Sequence, residues 1–190
     1  TYDPINGLWL NESEIFLDYD INGNLTKDSI RDYDAQSMSW LPYYRFREFY
    51  YYNTNNFYNA HILQDWVSGN WMNTDSISRL SDTLGLAIEY NTSIWNTGLS
   101  TWENDFKIML SYQGTLVSDS VIQTWNGSNY INTYKYHSDY LGNGKIFTKS
   151  GYAWDAGINN WNLTEVDTSF YDLNNNLIQD NYYYQDNNQW

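Results

Sequence analysis

Polar turn residues and aromatic residues alternate along this chain in a pattern that recurs about every 31 residues. A period of this size is typical of a repeat array, in which each unit packs against its neighbours. We predict a single array over residues 1–190. The aromatic residues that close the recurring loops are Trp9, Trp40, Trp71, Trp102, Tyr130, Trp161 and Trp190. They define units at 10–40, 41–71, 72–102, 103–130, 131–161 and 162–190, with 1–9 as the end of a preceding unit.

The segments between loops are rich in Tyr, Phe, Ile, Val and Thr, and many alternate in polarity, as in residues 106–110 and 134–138. Alternation with a period of two, with aromatic and β-branched enrichment, predicts β-strands. Good helix formers are sparse. We therefore predict an all-β chain.

One of two alternating loop types is bracketed by aromatic residues. The bracketing pairs are Tyr2/Trp9, Tyr33/Trp40, Trp66/Trp71, Trp95/Trp102, Trp125/Tyr130, Trp154/Trp161 and Tyr184/Trp190. Rings at the two ends of a hairpin loop can pack across the strands. We interpret these pairs first as structural clamps and second as platforms for a ligand.

The other loop type usually follows a tyrosine and is rich in Asn, Asp and Gly, which tolerate positive φ and form hairpin turns. It is clear at residues 19–25, 112–116, 140–146 and 171–177, and less clear at 52–57 and 80–86. Two strands per unit predict an antiparallel β-meander of about twelve strands in six hairpin repeats. We expect a curled or coiled open sheet, with a closed barrel as the alternative.

Composition narrows the range of functions. Aromatic residues make up 19% of the chain and the formal net charge is −14. So negative a chain is unsuited to nucleic acid or anionic membrane surfaces. No apolar run is long enough for a membrane helix, so we expect no membrane insertion.

Because the chain opens inside a repeat and stops on a loop-closing Trp, we expect a segment of a longer protein or a processed one.

Two sequence patterns resemble known repeat families. Residues 19–25, Tyr-Asp-Ile-Asn-Gly-Asn-Leu, resemble the YD-repeat motif that closes successive hairpins of a spiralling sheet. Residues 125–130 and 171–177 resemble tandem repeats of large secreted Bacteroidetes proteins that are exported by type IX secretion. This resemblance implies an extracellular protein or one on the outer-membrane surface of a Gram-negative bacterium, often adhesin-like. A shell fragment of a toxin-encapsulating YD-repeat assembly is a further alternative.

Four short motifs fit the exported setting that the resemblance implies. They match the Asp-Ser/Thr-aliphatic sequence at which Bacteroidetes glycosylate exported proteins. The candidate O-glycosylation residues are Ser29, Ser76, Thr83 and Ser120.

Candidate metal and catalytic residues are few. Asp18, Asp20 and Asn22 precede Gly23, as at the start of a calcium loop, but Ser29 stands where that loop has a bidentate carboxylate. We interpret the segment as an Asx-rich turn, with calcium as the alternative, and predict no cofactor.

The histidines, His61 and His137, stand at non-equivalent positions. The chain has no cysteine and only these two histidines, too few residues of the right type for a zinc site or a Ser/His triad, and we predict no enzyme.

Two functional classes remain. The first is a structural or adhesive surface repeat, because function in such arrays is usually distributed along a surface. Its partners would be glycans or other copies of cell-surface protein. The second is a carbohydrate-binding module that uses rings at the clamps, namely Trp66, Trp71, Trp95, Trp102, Trp154 and Trp161. Arg45 and Arg47, which lie in the densest aromatic stretch, could also stack on a sugar, although covering neighbouring rings is the simpler role.

Overall fold

The computed structural model describes residues 2–3, 8–9, 13–34, 36–41 and 44–185, which form fifteen strands and no helix. The strands are β1 (Tyr2–Asp3), β2 (Leu8–Trp9), β3 (Ser13–Tyr19), β4 (Leu25–Asp34), β5 (Ser39–Trp40), β6 (Phe46–Tyr52), β7 (Tyr58–Val67), β8 (Asn70–Ser81), β9 (Ala87–Asn96), β10 (Thr101–Gln113), β11 (Leu116–Trp125), β12 (Tyr130–Tyr140), β13 (Ile146–Asp155), β14 (Asn160–Tyr171) and β15 (Leu177–Tyr184). Across these residues there is no helix of the length and apolarity that spanning a membrane requires.

Strand order follows chain order. Thirteen strands form one sheet that runs from β3 through β4 and β6 to β15, with β5 paired to β4, while β1 pairs with β2. Neighbouring strands in the described sheet pair antiparallel, for example β12 with β13 and β13 with β14. The prediction of an antiparallel meander of hairpin repeats is confirmed. The order has two ends, β3 and β15, so the sheet is open and the closed-barrel alternative is not adopted.

Close contacts divide the chain into two compact units, residues 1–79 with 92–103 and residues 80–91 with 104–190. Within each unit the described strands contact the strands beside them in the sheet. Among the described residues, only Ser29, Ala87, Thr92 and Gly151 are buried. Contacts between side chains on adjacent strands must therefore supply much of the stabilisation that a buried core supplies elsewhere.

Five of the six turns of the second loop type share one geometry. In residues 82–86 the amide of Asp82 donates to the carbonyl of Leu86 at 2.8 Å. Asp82 Oδ1 accepts from the amides of Leu84 and Leu86, both at 2.9 Å. Gly85 has a φ of 82°, a left-handed conformation that favours Gly or Asn. Equivalent backbone bonds recur at 20–24, 53–57, 141–145 and 172–176. The segments that are unclear in the sequence, 52–57 and 80–86, therefore form this turn, whereas the turn at 112–116 is tighter, with Gln113 directly opposite Leu116.

A threonine creates a β-bulge beside three of the clamps. The strand register shifts after Leu63, Ile122 and Gly151, so that one residue of the facing strand has no opposite. The extra residues are Thr74, Thr133 and Thr164. Each threonine hydroxyl donates to the carbonyl of the residue before the shift, at 2.9–3.2 Å. The hydroxyl stabilises the shifted register, and the same bulge recurs beside these three clamps.

Candidate functional site

The rings of five clamp pairs contact each other edge to face. Their centroids lie 4.9–5.3 Å apart and their planes meet at 65–78°, in Tyr33–Trp40, Trp66–Trp71, Trp95–Trp102, Trp125–Tyr130 and Trp154–Trp161. Tyr2 also lies opposite Trp9 in the strand register, whereas Trp190 lies outside the described residues. Edge-to-face packing is a favoured arrangement of aromatic pairs. The geometry is what a structural clamp requires.

Cations cover one ring in three of the clamps. The guanidinium of Arg31 lies 5.4 Å from the Trp40 ring, and that of Arg47 lies 4.1 Å from the Trp71 ring. The ammonium of Lys107 lies 4.8 Å from the Tyr130 ring. All three distances are within cation–π range. These ring faces are therefore already occupied within the chain.

The six tryptophans predicted to bind a ligand lie in clamps of unequal accessibility. Trp66 packs on Trp71, whose face Arg47 covers. The other four form the pairs Trp95–Trp102 and Trp154–Trp161, all half-buried. Within the described part of the chain, no cation lies over Trp102 or Trp161. None of the three clamps presents two coplanar rings, so a sugar would meet one ring at a time. Their role in binding stays a prediction.

The two arginines of the aromatic stretch make internal contacts. Arg47 Nε donates to Gln64 Oε1 at 2.8 Å, and Gln64 Nε2 donates to Asn73 Oδ1 at 2.7 Å. Burial lowers the pKa of Arg47. Arg45 lies 3.5 Å from an oxygen of Asp32 and 5.6 Å from the Phe46 ring. Both side chains therefore cover rings and pair with neighbours, which is the simpler of the two roles expected for them.

Tyrosine hydroxyls join successive hairpins. The hydroxyl of Tyr52 donates to the carbonyl of Leu25 at 3.0 Å, in the preceding hairpin. Equivalent bonds, of 2.6–3.0 Å, run from Tyr112 to Ala87, from Tyr140 to Val117 and from Tyr171 to Ile146. In each case the acceptor lies just beyond the turn of the second loop type in the hairpin before. We call these bonds the tyrosine ladder. The sequence shows the recurring tyrosines but not their acceptors.

The four candidate glycosylation residues differ in exposure. Ser29 is 2% exposed in β4, so a glycan there would require the strands around it to separate. Ser76 in β8 and Ser120 in β11 are half-buried. Thr83 is exposed, within the turn at 82–86. Thr83 is therefore the residue of the four that the folded chain presents to a modifying enzyme.

The oxygen atoms of the candidate calcium loop are used by the turn itself. Asp20 Oδ1 accepts from the amides of Asn22 and Asn24 at 2.8 and 2.9 Å, and the side-chain bond from Asn24 is the main cause that lowers the pKa of Asp20. Asp18 lies 3.5 Å from the ammonium of Lys27. In the described parts of the chain, no group of three His, Cys, Asp or Glu side chains is placed to hold a metal ion. The Asx-turn interpretation accounts for these contacts.

The two histidines lie in separate side-chain networks. His61 Nδ1 lies 2.5 Å from the hydroxyl of Tyr58. His137 Nδ1 lies 3.0 Å from Asp119 Oδ1, and Nε2 lies 3.3 Å from Asp139 Oδ1. The hydrogen bond to Asp119 is the main cause that raises the pKa of His137. Burial alone would raise the pKa of Asp119, but bonds from His137 and Lys135 lower it overall.

We expect the protonated form of His137 to stabilise the fold. Because its pKa is raised in the folded state, this stabilisation is complete below the ordinary value near 6.5 and is lost as the pH rises through the folded value. An NMR titration of the imidazole protons should show the raised pKa. Asp119→Asn should lower it more than Asp139→Asn, which removes the longer contact. Equal effects of the two variants would contradict the assignment.

A shallow polar groove, not predicted from the sequence, lies on the sheet in the second unit. It encloses about 220 Å³ and its floor carries small hydroxyl side chains. The lining residues are Val117, Ser118, Ser120, Tyr136, Ser138, Tyr140, Ile146 and Lys149. Lys149 Nζ lies 4.9 Å from the Tyr136 ring. Hydroxyls beside a ring and an ammonium could hydrogen-bond a polar ligand.

Three solved structures have weak similarity to this chain. A protein of unknown function from Bacteroides fragilis NCTC 9343 aligns with a TM-score of 0.39 and 17% identity, over 85% of this chain and 92% of that one. DUF3836 family proteins from Bacteroides vulgatus ATCC 8482 and Parabacteroides distasonis ATCC 8503 align with TM-scores of 0.33 and 0.31 and identities of 14% and 11%. They cover 61% and 72% of this chain, and 89% and 91% of their own lengths. No protein-family model matches the sequence, and no curated protein matches it.

Proposed function

We propose that this chain is a non-catalytic structural or adhesive repeat module, exposed on the surface of a Gram-negative bacterium or secreted from it. The observation that carries the proposal is that the same structural features recur from hairpin to hairpin. Clamps, Asx turns, bulge threonines and the tyrosine ladder each occur in several repeats. Function in such arrays is usually distributed along the surface.

The contacts within the clamps support a structural role for the aromatic residues. Their rings contact each other, and in three clamps a cation covers a ring face. A protein that spaces or displays other domains needs hairpins that stay in register, and clamps at successive loops provide this. Export by type IX secretion and O-glycosylation belong to the same proposal, which rests here on the motif resemblance. Thr83 is the residue most suited to carry a glycan.

Antibody labelling of intact cells and an adhesion assay test this proposal directly. In the bacterium that encodes the chain, an antibody should label intact cells, and added protease should remove the epitope without lysis. Deletion of the gene should reduce adhesion, and a version lacking the unit 131–161 should restore adhesion at least in part. Protection of the epitope until lysis would overturn the location. A single substitution that abolishes a defined turnover would overturn the non-catalytic assignment.

Carbohydrate binding is the second candidate function. Two observations favour it, namely the hydroxyl-lined groove and the clamps Trp95–Trp102 and Trp154–Trp161, whose second rings carry no cation among the described residues. Half-exposed rings can stack on the apolar face of a sugar.

A glycan array on the purified chain separates the two functions. If sugars stack at the uncovered clamps, Trp95→Ala and Trp154→Ala should abolish the signal. Trp71→Ala removes a ring that Arg47 already covers, and it should leave the signal unchanged. An array with no bound glycan would remove this second candidate, and equal losses in all three variants would indicate a loss of folding instead.

A further inference from the structure

The polar groove of the second unit lies where two successive hairpins adjoin, at the pairing of β11 with β12. We call such a pairing a joint. Each joint of the tyrosine ladder has one donor tyrosine and one acceptor carbonyl, here Tyr140 and Val117, and equivalent positions can be counted from these two residues. Ser118 and Ser120 stand one and three residues after the acceptor, and Ser138 stands two residues before the donor.

The other three described joints of the ladder carry larger side chains at two or all three of these positions. The corresponding residues are Thr26, Asp28 and Tyr50 at the joint of Tyr52 with Leu25, Ile88, Tyr90 and Leu110 at the joint of Tyr112 with Ala87, and Phe147, Lys149 and Ser169 at the joint of Tyr171 with Ile146. Of the four described joints, the one with serine at all three positions is the one that holds the groove. Where a chain departs from its own structural rule, a functional site is expected.

The three serine hydroxyls are available to a ligand. Ser118, Ser120 and Ser138 are half-buried, and within the described chain their side chains make no hydrogen bond. Each hydroxyl can donate one hydrogen bond and accept others. The hydroxyl of Tyr140 donates to Val117 at 2.6 Å and can still accept. A ligand that displaces water from these groups must therefore replace the hydrogen bonds of that water, which favours a ligand with several hydroxyls of its own.

The size and the charge of the groove narrow the class of ligand. Its volume of about 220 Å³ is below the range of about 300–1,000 Å³ that is typical of sites for drug-sized ligands, so it suits a single sugar ring better than an oligosaccharide. Lys149 lies opposite Ser138 in the register, and Asp167 lies opposite Lys149 on the next strand. Because this carboxylate offsets the ammonium and the chain has a net charge of −14, an uncharged ligand is favoured over an anionic one.

We propose that the groove binds one ring of an uncharged sugar. The serine hydroxyls of β11 and β12 exchange hydrogen bonds with neighbouring hydroxyls of the sugar, and the ammonium of Lys149 donates to one of its oxygens. The ring of Tyr136, which also lines the groove, contacts an apolar face of the sugar. This inference rests on carbohydrate binding, the second candidate function, and assigns the sugar to the groove and not to the clamp rings.

Nuclear magnetic resonance titration of the isotope-labelled chain tests the inference. The probes are the methyl glycosides of glucose, galactose and mannose, each added up to high millimolar concentration. We expect at least one of them to shift the backbone amide signals of Ser120, Ser138 and Lys149 to saturation. The indole signals of Trp95 and Trp154, which belong to the uncovered clamps, should stay in place.

Three variants locate the bound sugar. Ser118→Phe introduces the side chain that stands at the equivalent position 147, so the fold accepts it, and it should fill the groove and abolish the shifts. Ser138→Ala should weaken binding about fivefold, as expected for the loss of one hydrogen bond. Ser150→Ala is the matched control, because Ser150 is also half-buried but lies opposite His137, on the other face of the sheet from Lys149. It should leave the affinity unchanged, and circular dichroism confirms that each variant is folded.

Several results would overturn the inference. Shifts confined to the clamp indoles would move the sugar to the clamps and leave carbohydrate binding intact as a function. Binding that survives Ser118→Phe, or an equal loss in Ser138→Ala and Ser150→Ala, would also exclude the groove. Tighter binding of glucuronate than of methyl glucoside would overturn the choice of an uncharged sugar. If none of the three glycosides shifts a signal, the groove assignment fails, whereas carbohydrate binding itself is removed by a glycan array with no bound glycan.

Discussion

Replacing Trp154 or Trp161 by alanine is expected to lower the free energy of unfolding by about 2–3 kcal/mol. Truncation of a fully buried tryptophan costs about 3–5 kcal/mol, and these rings are half-buried. The two residues lie directly opposite each other in the strand register, with centroids 4.9 Å apart. Because few side chains in the described sheet are fully buried, each clamp holds an unusually large share of the apolar contact. Urea unfolding followed by far-ultraviolet circular dichroism measures the change without relying on the altered fluorophore.

A double-mutant cycle on Trp154 and Trp161 isolates the ring–ring contact from the loss of apolar area. Edge-to-face pairs contribute about 0.5–1.5 kcal/mol beyond burial, so the double variant should lose less than the sum of the single losses. Tyr134→Ala serves as the control, because its ring is 52% exposed in β12 and contacts no other ring among the described residues. It should change stability far less. Strict additivity of Trp154→Ala and Trp161→Ala would show that the rings do not stabilise each other.

The sequence predicts well the strands, turns and ring pairs that lie within one hairpin. A clamp joins residues on either side of one short loop, and an Asx turn uses amides two and four residues away from its acceptor. Such contacts follow from local spacing alone, and so the strands, turns and clamp pairs can be predicted. The turn at 53–57 contains no glycine, and the turn at 82–86 follows Ser81 and not a tyrosine, so both are less clear in the sequence. In both turns the side chain of the first residue, Asn53 or Asp82, accepts from the amide four residues later.

The contacts between hairpins could not be predicted, because they depend on strand register. Arg47 reaches the Trp71 ring only because Arg47 lies opposite Gln64 and a bulge at Thr74 shifts the facing strand. A shift of one residue would move the guanidinium to the other face of the sheet. The bulge threonines do leave a signal, since Thr74, Thr133 and Thr164 each stand three residues after a clamp ring. The serine-lined groove combines residues of several strands and leaves no comparable signal.

Removing the hydroxyls of the tyrosine ladder is expected to destabilise the second unit in steps. Tyr112→Phe, Tyr140→Phe and Tyr171→Phe each remove one bond to a backbone carbonyl, of 2.6, 2.6 and 3.0 Å. A hydrogen bond of this kind contributes about 1 kcal/mol net, so the triple variant should lose about 3 kcal/mol if the bonds act independently. The ring and its apolar contacts remain in every variant. The loss therefore reports the hydroxyl alone, and urea unfolding midpoints of the single and triple variants measure it.

Tyr19→Phe is the matched control for the ladder, because Tyr19 occupies the same place before its turn but donates to no acceptor in the described chain. This variant should unfold at the same urea concentration as the unaltered chain. An equal loss for Tyr19→Phe and Tyr140→Phe would mean that hydration or ring packing, and not the bond to the preceding hairpin, makes tyrosine suited to this position. A loss of stability confined to the Tyr112, Tyr140 and Tyr171 variants would instead show that the hydroxyl bond fixes each hairpin to the one before it. The sequence of a single hairpin does not reveal this contact.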